Sequence, residues 1–237
     1  MRYIGRDNVR KRFEPLEGTP GHTVYGGGEV RIDDVVVRPT FGLAHEGEYD
    51  HVHVGPLLEE ISQDHLVAVL LVRLGGYAVG MLDGEQIVTS KVGSRFVKNR
   101  HKKGGSSANR FRRRREEQAK ALVEEAADVA ASVLSPAPFV ALGGDKAAVE
   151  GVLAARADLG WLRQRALPRF FTVEEPRLRT LQALPYDLYA VGVRDVTHEL
   201  GSKSEPSSKS QTHELGSNTE PSSRSEAHEP RSERERS

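Results

Sequence analysis

Residues 66–92 read LVAVLLVRLGGYAVGMLDGEQIVTSKV, and this stretch decides the fold. A Gly-Gly turn and an Asp-Gly turn divide it into three apolar runs: residues 66–74, 77–82 and 86–92. Short apolar runs joined by such turns are typical of β-hairpins, so the spacing predicts a three-stranded antiparallel meander. The first run is apolar on both faces, which predicts a central strand covered on both sides. The third run alternates with polar residues and is expected nearer an edge.

Helices and strands are predicted to alternate after the meander. Residues 107–134 contain no glycine or proline and end just before Ser135-Pro136, which predicts a helix of about 28 residues, roughly 42 Å long. Its first half is basic, and its second half has apolar residues at helical spacing that suit docking on the sheet. The remaining predicted elements are a strand at 139–142, a helix at 146–155 capped by Asp145, a strand at 169–174, and a last helix at 176–189 that Pro185 breaks near its end. The order predicts an α/β fold with a mixed sheet and the topology of an RNase H-like core.

An RNase H-like topology suggests a metal-dependent nuclease, but the sequence argues against one. Such enzymes bind two metal ions with carboxylates on the first strand and its neighbours, yet residues 66–72 contain no Asp or Glu. The chain also has no cysteine, which excludes disulfides, thiolate catalysis and cysteine-ligated zinc. We therefore expect neither a metal nor another cofactor.

Length and composition place the chain among soluble globular proteins. Its 237 residues, 37% of them apolar, supply a core of ordinary size for one or two domains. No apolar run approaches the roughly 20 residues that a membrane helix requires, and the N-terminus lacks the hydrophobic core of a signal peptide. We therefore expect a cytoplasmic monomer without membrane contact.

Both ends of the chain differ in composition from the α/β domain expected at residues 54–196. Residues 1–53 are predicted to form a β-rich N-terminal segment, because residues 29–37 resemble one or two short strands. His51 and His53 have a spacing that metal sites use, but without a third ligand in reach a structural role is favoured. Residues 197–237 contain a tandem fifteen-residue repeat, THELGSKSEPSSKSQ followed by THELGSNTEPSSRSE, whose polar composition predicts a disordered tail.

The strongest chemical signal is a basic segment between the meander and the long helix. Residues 98–118 read KNRHKKGGSSANRFRRRREEQ. Between Lys91 and Lys120 stand twelve lysines and arginines and two glutamates, a formal charge of +10 in a chain whose net charge is zero. Concentrated positive charge is the electrostatic footprint of a nucleic-acid partner. The Gly-Gly tip ahead of the arginine run favours this interpretation over a solvated helix face.

The glycine loop and its arginine helix resemble the GGQ loop and following helix of eukaryotic and archaeal class I peptide-chain release factors. The flanking sequences VRLGGYAVG (residues 72–80) and SKVGSR (residues 90–95), with Arg110-Phe111 and Gln118, look more like the release-factor-like VLRF group. The resemblance covers residues 54–193. It implies the central-domain fold of release factors, a role in ribosome quality control, and release of nascent chains from tRNA on stalled large ribosomal subunits.

The resemblance also implies roles for individual residues. Glycines allow the backbone to approach the aminoacyl ester, while basic residues bind the tRNA acceptor end or ribosomal RNA. The catalytic candidates are Gly104, Gly105, Ser106, Ser107 and Asn109. The RNA-binding candidates are Lys98, Arg100, His101, Lys102, Lys103, Arg110, Arg112, Arg113, Arg114 and Arg115. The reaction requires no metal.

One departure from the family pattern concerns the catalytic glutamine, which release factors place directly after the two glycines. Ser106 stands at this position, and the nearest side-chain amide is that of Asn109. Hydrolysis needs a positioned water and N–H donors for the oxyanion, and the N-terminus of a helix supplies such donors. Either Asn109, Ser106 or the backbone serves in place of the glutamine, or hydrolysis has been lost.

Three functions remain open from the sequence. The first is a peptidyl-tRNA-releasing enzyme that hydrolyses the ester or cuts the acceptor end of the tRNA. The second is a non-catalytic ribosome or tRNA binder with the same fold. The third is a general RNA-binding protein whose arginine helix recognises A-form RNA by shape. Phe96 and Phe111 are the only aromatic residues of the basic segment, which disfavours readout of single-stranded bases.

Overall fold

The computed structural model describes residues 1–94 and 106–196, with the side chains of residues 106–109 and 111 outside the description. The tail that was predicted to be disordered, residues 197–237, lies outside the described residues. The strands of the described residues are β1 (Arg2–Ile4), β2 (Pro20–Gly26), β3 (Glu29–Ile32), β4 (Val35–Arg38), β5 (Gly47–His51), β6 (Leu66–Arg73), β7 (Gly76–Asp83), β8 (Gln86–Ser94), β9 (Phe139–Gly144) and β10 (Val191–Asp195). The helices are α1 (Arg6–Phe13), α2 (Gly55–Glu60), α3 (Ser106–Val133), α4 (Lys146–Ala155), α5 (Gly160–Gln164) and α6 (Leu178–Leu188).

Four strands form a mixed sheet in the order β8-β7-β6-β9. β6 pairs antiparallel with β7, and β7 pairs antiparallel with β8, so the predicted meander is confirmed. β6 also pairs with β9 in parallel, with Ala68 opposite Val140. β8 lies at an edge of the sheet, as its alternating sequence predicted. The predicted α/β class with a mixed sheet is therefore confirmed.

Strand β6 is buried on both faces because helices cover both sides of the mixed sheet. The β6 side chains that pack with α3 and α4 are Ala68, Leu70 and Val72, and those that pack with α6 are Val67, Val69 and Leu71. Side chains of a strand alternate between its faces, so a strand covered on both sides has an uninterrupted apolar sequence. This burial explains the continuous apolar run that opens the meander.

The two helices that flank β9 agree closely with the sequence prediction. α3 has 28 residues, and each of its ends differs from the predicted bounds by one residue. α4 has the predicted bounds, and the Asp145 carboxylate accepts a hydrogen bond from the N–H of Ala148 at 3.0 Å. Such a cap satisfies one of the N–H groups that the first turn of a helix leaves without a partner.

The strand predicted at residues 169–174 is wrong. Within residues 169–174, Phe171 makes one isolated bridge to Gly143 of β9, and a second isolated bridge precedes this range at Ala166. The N–H of Phe171 donates to the carbonyl of Leu142 at 2.9 Å. The N–H of Leu167 donates to the carbonyl of Val140, so the next donor of a regular parallel ladder would be Arg169. Because Phe171 donates instead, the ladder is interrupted between the two bridges.

The predicted break at Pro185 is also wrong. Pro185 lies inside α6, which continues for three more residues to Leu188. A proline removes one hydrogen bond from a helix, but its neighbours Leu181, Leu184 and Leu188 are buried against the mixed sheet. Their packing holds the last turn in place despite the missing bond.

The other six strands of the described residues form an antiparallel sheet in the order β1-β10-β4-β3-β2-β5. β3 and β4 are the short strands predicted at residues 29–37, whereas β1, β2, β5 and α1 were not predicted. β10 comes from the far end of the described chain and pairs with both β1 and β4. The division between residues 1–53 and residues 54–196 stays a prediction, and these strand pairs cross it.

Aromatic side chains connect the elements of the two sheets. The ring of Phe41, which follows β4, lies 4.3 Å from the ring of His65 and 5.0 Å from that of Phe139 in β9, between centroids. The backbone N–H of His65 donates to the Tyr189 hydroxyl at 2.9 Å. The guanidinium of Arg6 in α1 lies 4.6 Å above the Tyr189 ring. This cluster packs α1 and the loop after β4 against the start of β6.

Candidate nucleic-acid interface

The predicted catalytic loop joins the end of β8 at Ser94 to the start of α3 at Ser106. The candidates that lie outside the described residues are Lys98, Arg100, His101, Lys102, Lys103, Gly104 and Gly105. The two anchoring ends of the loop are described. Ser94 is paired with Gly76, the first residue of β7. The loop therefore leaves the mixed sheet at the end where β7 begins and β6 ends.

The backbone of Ser106, Ser107 and Asn109 forms the start of α3. The helix begins at Ser106, so the candidates Ser107 and Asn109 are helical residues. The first N–H groups of a helix have no acceptor within it and carry partial positive charge. α3 thus presents N–H donors immediately after the predicted catalytic glycines in the chain. Stabilisation of an oxyanion requires donors of this kind.

Two arginines of α3 form ion pairs with glutamates one turn later. Arg112 and Arg113 are exposed, with 67% and 83% of their side-chain surfaces accessible. The Nε of Arg112 lies 3.8 Å from Glu116 Oε1, and the Nε of Arg113 lies 3.1 Å from Glu117 Oε1. Exposed pairs at this spacing contribute only about 0.3–0.5 kcal/mol, so a phosphate group can compete with the glutamates for these arginines.

The other described arginines of the helix are not paired in this way. Arg110, Arg114 and Arg115 form no ion pair with any carboxylate of residues 1–94 and 106–196. Arg110 and Arg114 are exposed, and Arg115 is half-buried. Because residues four apart share one face of a helix, Arg110 and Arg114 present two uncompensated charges side by side. They are the best placed of the described candidates to bind phosphate.

The C-terminal half of α3 is docked on the mixed sheet, while the arginine half is exposed. Leu122, Ala126 and Ala130 are the apolar residues of the docked face, with exposures of 2%, 0% and 0%. They belong to the core that also contains Val79 of β7. Lys91 of β8 is the register partner of Val79, so its exposed side chain lies on the α3 side of the sheet. Lys91 therefore adds positive charge to the same side as the arginines.

Tyr77 of β7 was not predicted as part of the site. Its side chain is almost fully buried, and its hydroxyl donates a hydrogen bond to Oε1 of Glu125 in α3 at 3.0 Å. The bond joins residues 48 positions apart. The available sequence signal was Gly93 in β8, because a glycine inside a strand often marks the close approach of another group. Tyr77 connects the sheet to the docked half of α3.

The described residues offer no alternative site of the kinds that the sequence raised. Within residues 1–94 and 106–196, no three His, Asp or Glu side chains are grouped so that they could hold a metal ion. The Nδ1 of His53 instead lies 2.8 Å from Glu17 Oε1. Burial acts to raise the pKa of Glu17, but hydrogen bonds from the Val54 N–H and from His53 outweigh it and lower the pKa below its usual value.

In the same two ranges, no helix combines the length and apolar character needed to cross a lipid bilayer.

Comparison with protein families identifies the class of protein. Residues 65–194 match the model of the family described as the Actinobacteria/chloroflexi VLRF1 release factor. Because this match covers more than half of the 237 residues, the chain belongs to that release-factor family. The resemblance to the VLRF group that the glycine loop and arginine helix indicated is confirmed.

Two solved structures are similar to this chain, each at 15% sequence identity. One is the crystal structure of the archaeal translation termination factor aRF1, with a TM-score of 0.38. The other is described as an archaeal protein, with a TM-score of 0.31. Each comparison covers 78% of this chain and 55% of the other, so the chain spans about half the length of these proteins. No curated protein matches the chain.

Proposed function

We propose that the protein frees nascent chains from peptidyl-tRNA on stalled large ribosomal subunits. The observation that carries this proposal is the match of residues 65–194 to a release-factor family. The exposed arginines of α3 support it, because they follow the predicted catalytic glycines and have the charge that binding of RNA phosphates requires. The partners are then peptidyl-tRNA and the RNA of the large subunit, and the protein acts in the cytoplasm as a monomer.

The proposed reaction is hydrolysis of the ester that joins the peptide to the tRNA. Water attacks the ester carbonyl carbon, negative charge develops on the carbonyl oxygen, and the C–O bond to the ribose breaks as that oxygen takes up a proton. Gly104 and Gly105 let the backbone reach the ester, and N–H groups of the first turn of α3 stabilise the oxyanion. Ser106 or Asn109 orients the water where other release factors use glutamine. This chemistry needs no metal ion.

Cleavage of the tRNA acceptor end is the second form that the release reaction can take. A phosphodiester breaks in this case, and the peptide leaves with the terminal nucleotides still attached. The same basic surface would hold the acceptor end in both reactions. The products separate the two forms, since ester hydrolysis leaves the tRNA at full length and acceptor-end cleavage shortens it.

The proposal is tested by release of labelled peptide from peptidyl-tRNA on isolated large ribosomal subunits. Gly105→Ala is expected to lower the release rate by about 10²-fold, because an added Cβ displaces the backbone from the ester and displacements near 1 Å have costs of that order. Asn109→Ala shows whether that amide replaces the glutamine. Gly26→Ala in β2 is the matched control, since a Cβ there meets no atom within 4 Å. Equal release by Gly105→Ala and Gly26→Ala would contradict the proposal.

The missing glutamine favours one alternative, a non-catalytic ribosome or tRNA binder with the same fold. This alternative predicts that the intact chain binds large subunits and leaves the peptide on the tRNA. Gly105→Ala would then change neither binding nor release. Binding to large subunits without peptide release would therefore support the non-catalytic binder over the enzyme.

A further inference from the structure

Tyr77 contacts the two elements that flank the predicted catalytic loop, strand β8 and helix α3. Its hydroxyl reaches α3 through the bond to Glu125, and its ring lies against Gly93, its register partner in β8. A Cβ placed at Gly93 would stand 2.3 Å from Cζ of the Tyr77 ring, so only glycine fits beneath the ring without a shift. Gly93 is the last residue but one before the loop leaves β8. One buried side chain thus fixes the strand that precedes the loop and the helix that follows it.

The position of α3 at Glu125 controls the position of its first turn. About 19 residues separate Ser106 from Glu125, roughly 28 Å at 1.5 Å per residue. A tilt of about 2° at Glu125 would move Ser106 by about 1 Å, a misplacement that can cost about 10²-fold in rate. The apolar contacts of α3 are non-directional, whereas a hydrogen bond from a hydroxyl to a carboxylate has a preferred direction. The Tyr77–Glu125 bond therefore adds a directional restraint on tilt to the close packing of the core.

We propose that Tyr77 is a positioning residue for the release reaction. Together with Glu125 and Gly93, it sets where the loop leaves β8 and how α3 lies across the sheet. It therefore determines where the first turn of α3 meets the substrate. The expected effect on the rate of peptide release rests on the proposed function. The expected effect on the position of α3 on the sheet does not.

Peptide-release kinetics test the catalytic consequence. Tyr77→Phe removes the hydroxyl and keeps the ring, and we expect kcat to fall about tenfold with KM for loaded large subunits unchanged, because the arginines remain. Glu125→Gln retains an oxygen acceptor and is expected to release peptide faster than Glu125→Leu. Gly93→Ala displaces the Tyr77 ring and is expected to lower kcat as well.

Tyr25→Phe and Gly26→Ala are matched controls in the six-stranded sheet. Tyr25 is 3% exposed, and its hydroxyl donates to the carbonyl of His53 at 2.6 Å, so its loss also removes one buried hydrogen bond. We expect Tyr25→Phe to lower the melting temperature to a similar extent as Tyr77→Phe and to leave kcat unchanged. Equal losses of kcat in the two phenylalanine variants, or no loss in Tyr77→Phe, would overturn the proposal.

A distance measurement tests the positioning role independently of catalysis. The chain has no cysteine, so spin labels can be attached at Glu117→Cys on α3 and Tyr186→Cys on α6, two exposed positions. Tyr77→Phe is expected to shift or broaden the distance distribution between the labels, and Tyr25→Phe is expected to leave it unchanged. A changed distribution with no release by the intact protein would reject the proposed function and keep the positioning role. An unchanged distribution in Tyr77→Phe would reject the positioning role even where release occurs.

Discussion

The guanidinium groups of α3 differ in how much of their charge is available to a partner. Arg112 and Arg113 form ion pairs with glutamates four residues later, whereas Arg110 and Arg114 form no ion pair with a described carboxylate. A guanidinium that binds phosphate releases counterions from RNA, and a pair with glutamate reduces its net contribution. The two pairs of arginines are therefore a matched set for separating phosphate contacts from simple surface charge.

We predict that Arg110→Gln/Arg114→Gln weakens binding to large subunits more than Arg112→Gln/Arg113→Gln does. Each lost phosphate contact lowers the slope of log affinity against log salt by about 1, so the first double variant is expected to lose about 2. Titrations at several salt concentrations measure the slope. Equal slopes for the two double variants would show that the glutamates do not affect the contacts.

The contacts made by α3 differ in how well the sequence predicts them. The arginine–glutamate pairs follow from their spacing of four once a helix is predicted, because residues at that spacing are neighbours. The bond between Tyr77 and Glu125 depends on how α3 crosses the sheet, which local sequence does not specify. The sequence therefore predicted the charged residues of the candidate site but not the buried residue that holds the site together.

At the scale of elements, the turn between β9 and α4 lies at the same end of the mixed sheet as the start of the loop and is held against β6. Gly144 has φ of 98°, and a Cβ there would lie 2.1 Å from the carbonyl oxygen of Val72 in β6. The next residue, Asp145, donates its N–H to the same oxygen at 2.7 Å. Both the backbone conformation and the available space therefore require glycine.

We predict that Gly144→Ala lowers the free energy of unfolding by about 2 kcal/mol or more, because the left-handed conformation and the overlap both cost energy. Gly160→Ala is the control, since a Cβ at this first residue of α5 meets no atom within 4 Å. It is expected to be neutral or to stabilise the fold by up to about 1 kcal/mol. Urea unfolding measures both changes, and equal effects would contradict the packing described for Gly144.

Elements were predictable where their signal is local. Glycine turns and apolar runs gave the meander, and helical spacing gave α3 and α4. α1 was missed because only Val9 and Phe13 are buried among its charged residues. β5 was missed because it pairs only with β2 among the described strands and has a polar sequence, GEYDH. The strand wrongly predicted at residues 169–174 has suitable residues but lacks a continuous ladder.

At the scale of the whole molecule, the six-stranded sheet joins both ends of the described chain. β10 lies between β1 and β4, and its residues Val191 and Val193 belong to the core of that sheet. Composition suggested a boundary at residue 53. The pairing of β10 with β4 could not be predicted, because pairing between segments more than 150 residues apart leaves no local pattern in the sequence. The two ends of the described chain therefore depend on each other for their burial.

We predict that residues 54–196 alone do not fold stably, because β10 would lose both partner strands and expose its core side chains. Residues 1–196 are expected to unfold cooperatively at the melting temperature of the full chain. Near-ultraviolet circular dichroism and thermal unfolding compare the two fragments. Cooperative unfolding of residues 54–196 would instead support an independent domain with the predicted boundary.

Peptide release by the intact chain decides whether this member of the release-factor family is an enzyme. The measurement is the rate at which labelled peptide leaves peptidyl-tRNA on isolated large ribosomal subunits, with subunit occupancy by the protein measured in the same reaction. We predict that free peptide accumulates with the intact chain and that Gly105→Ala, at equal occupancy, releases it about 10²-fold more slowly. Full occupancy by the intact chain with the peptide still attached to tRNA would contradict this.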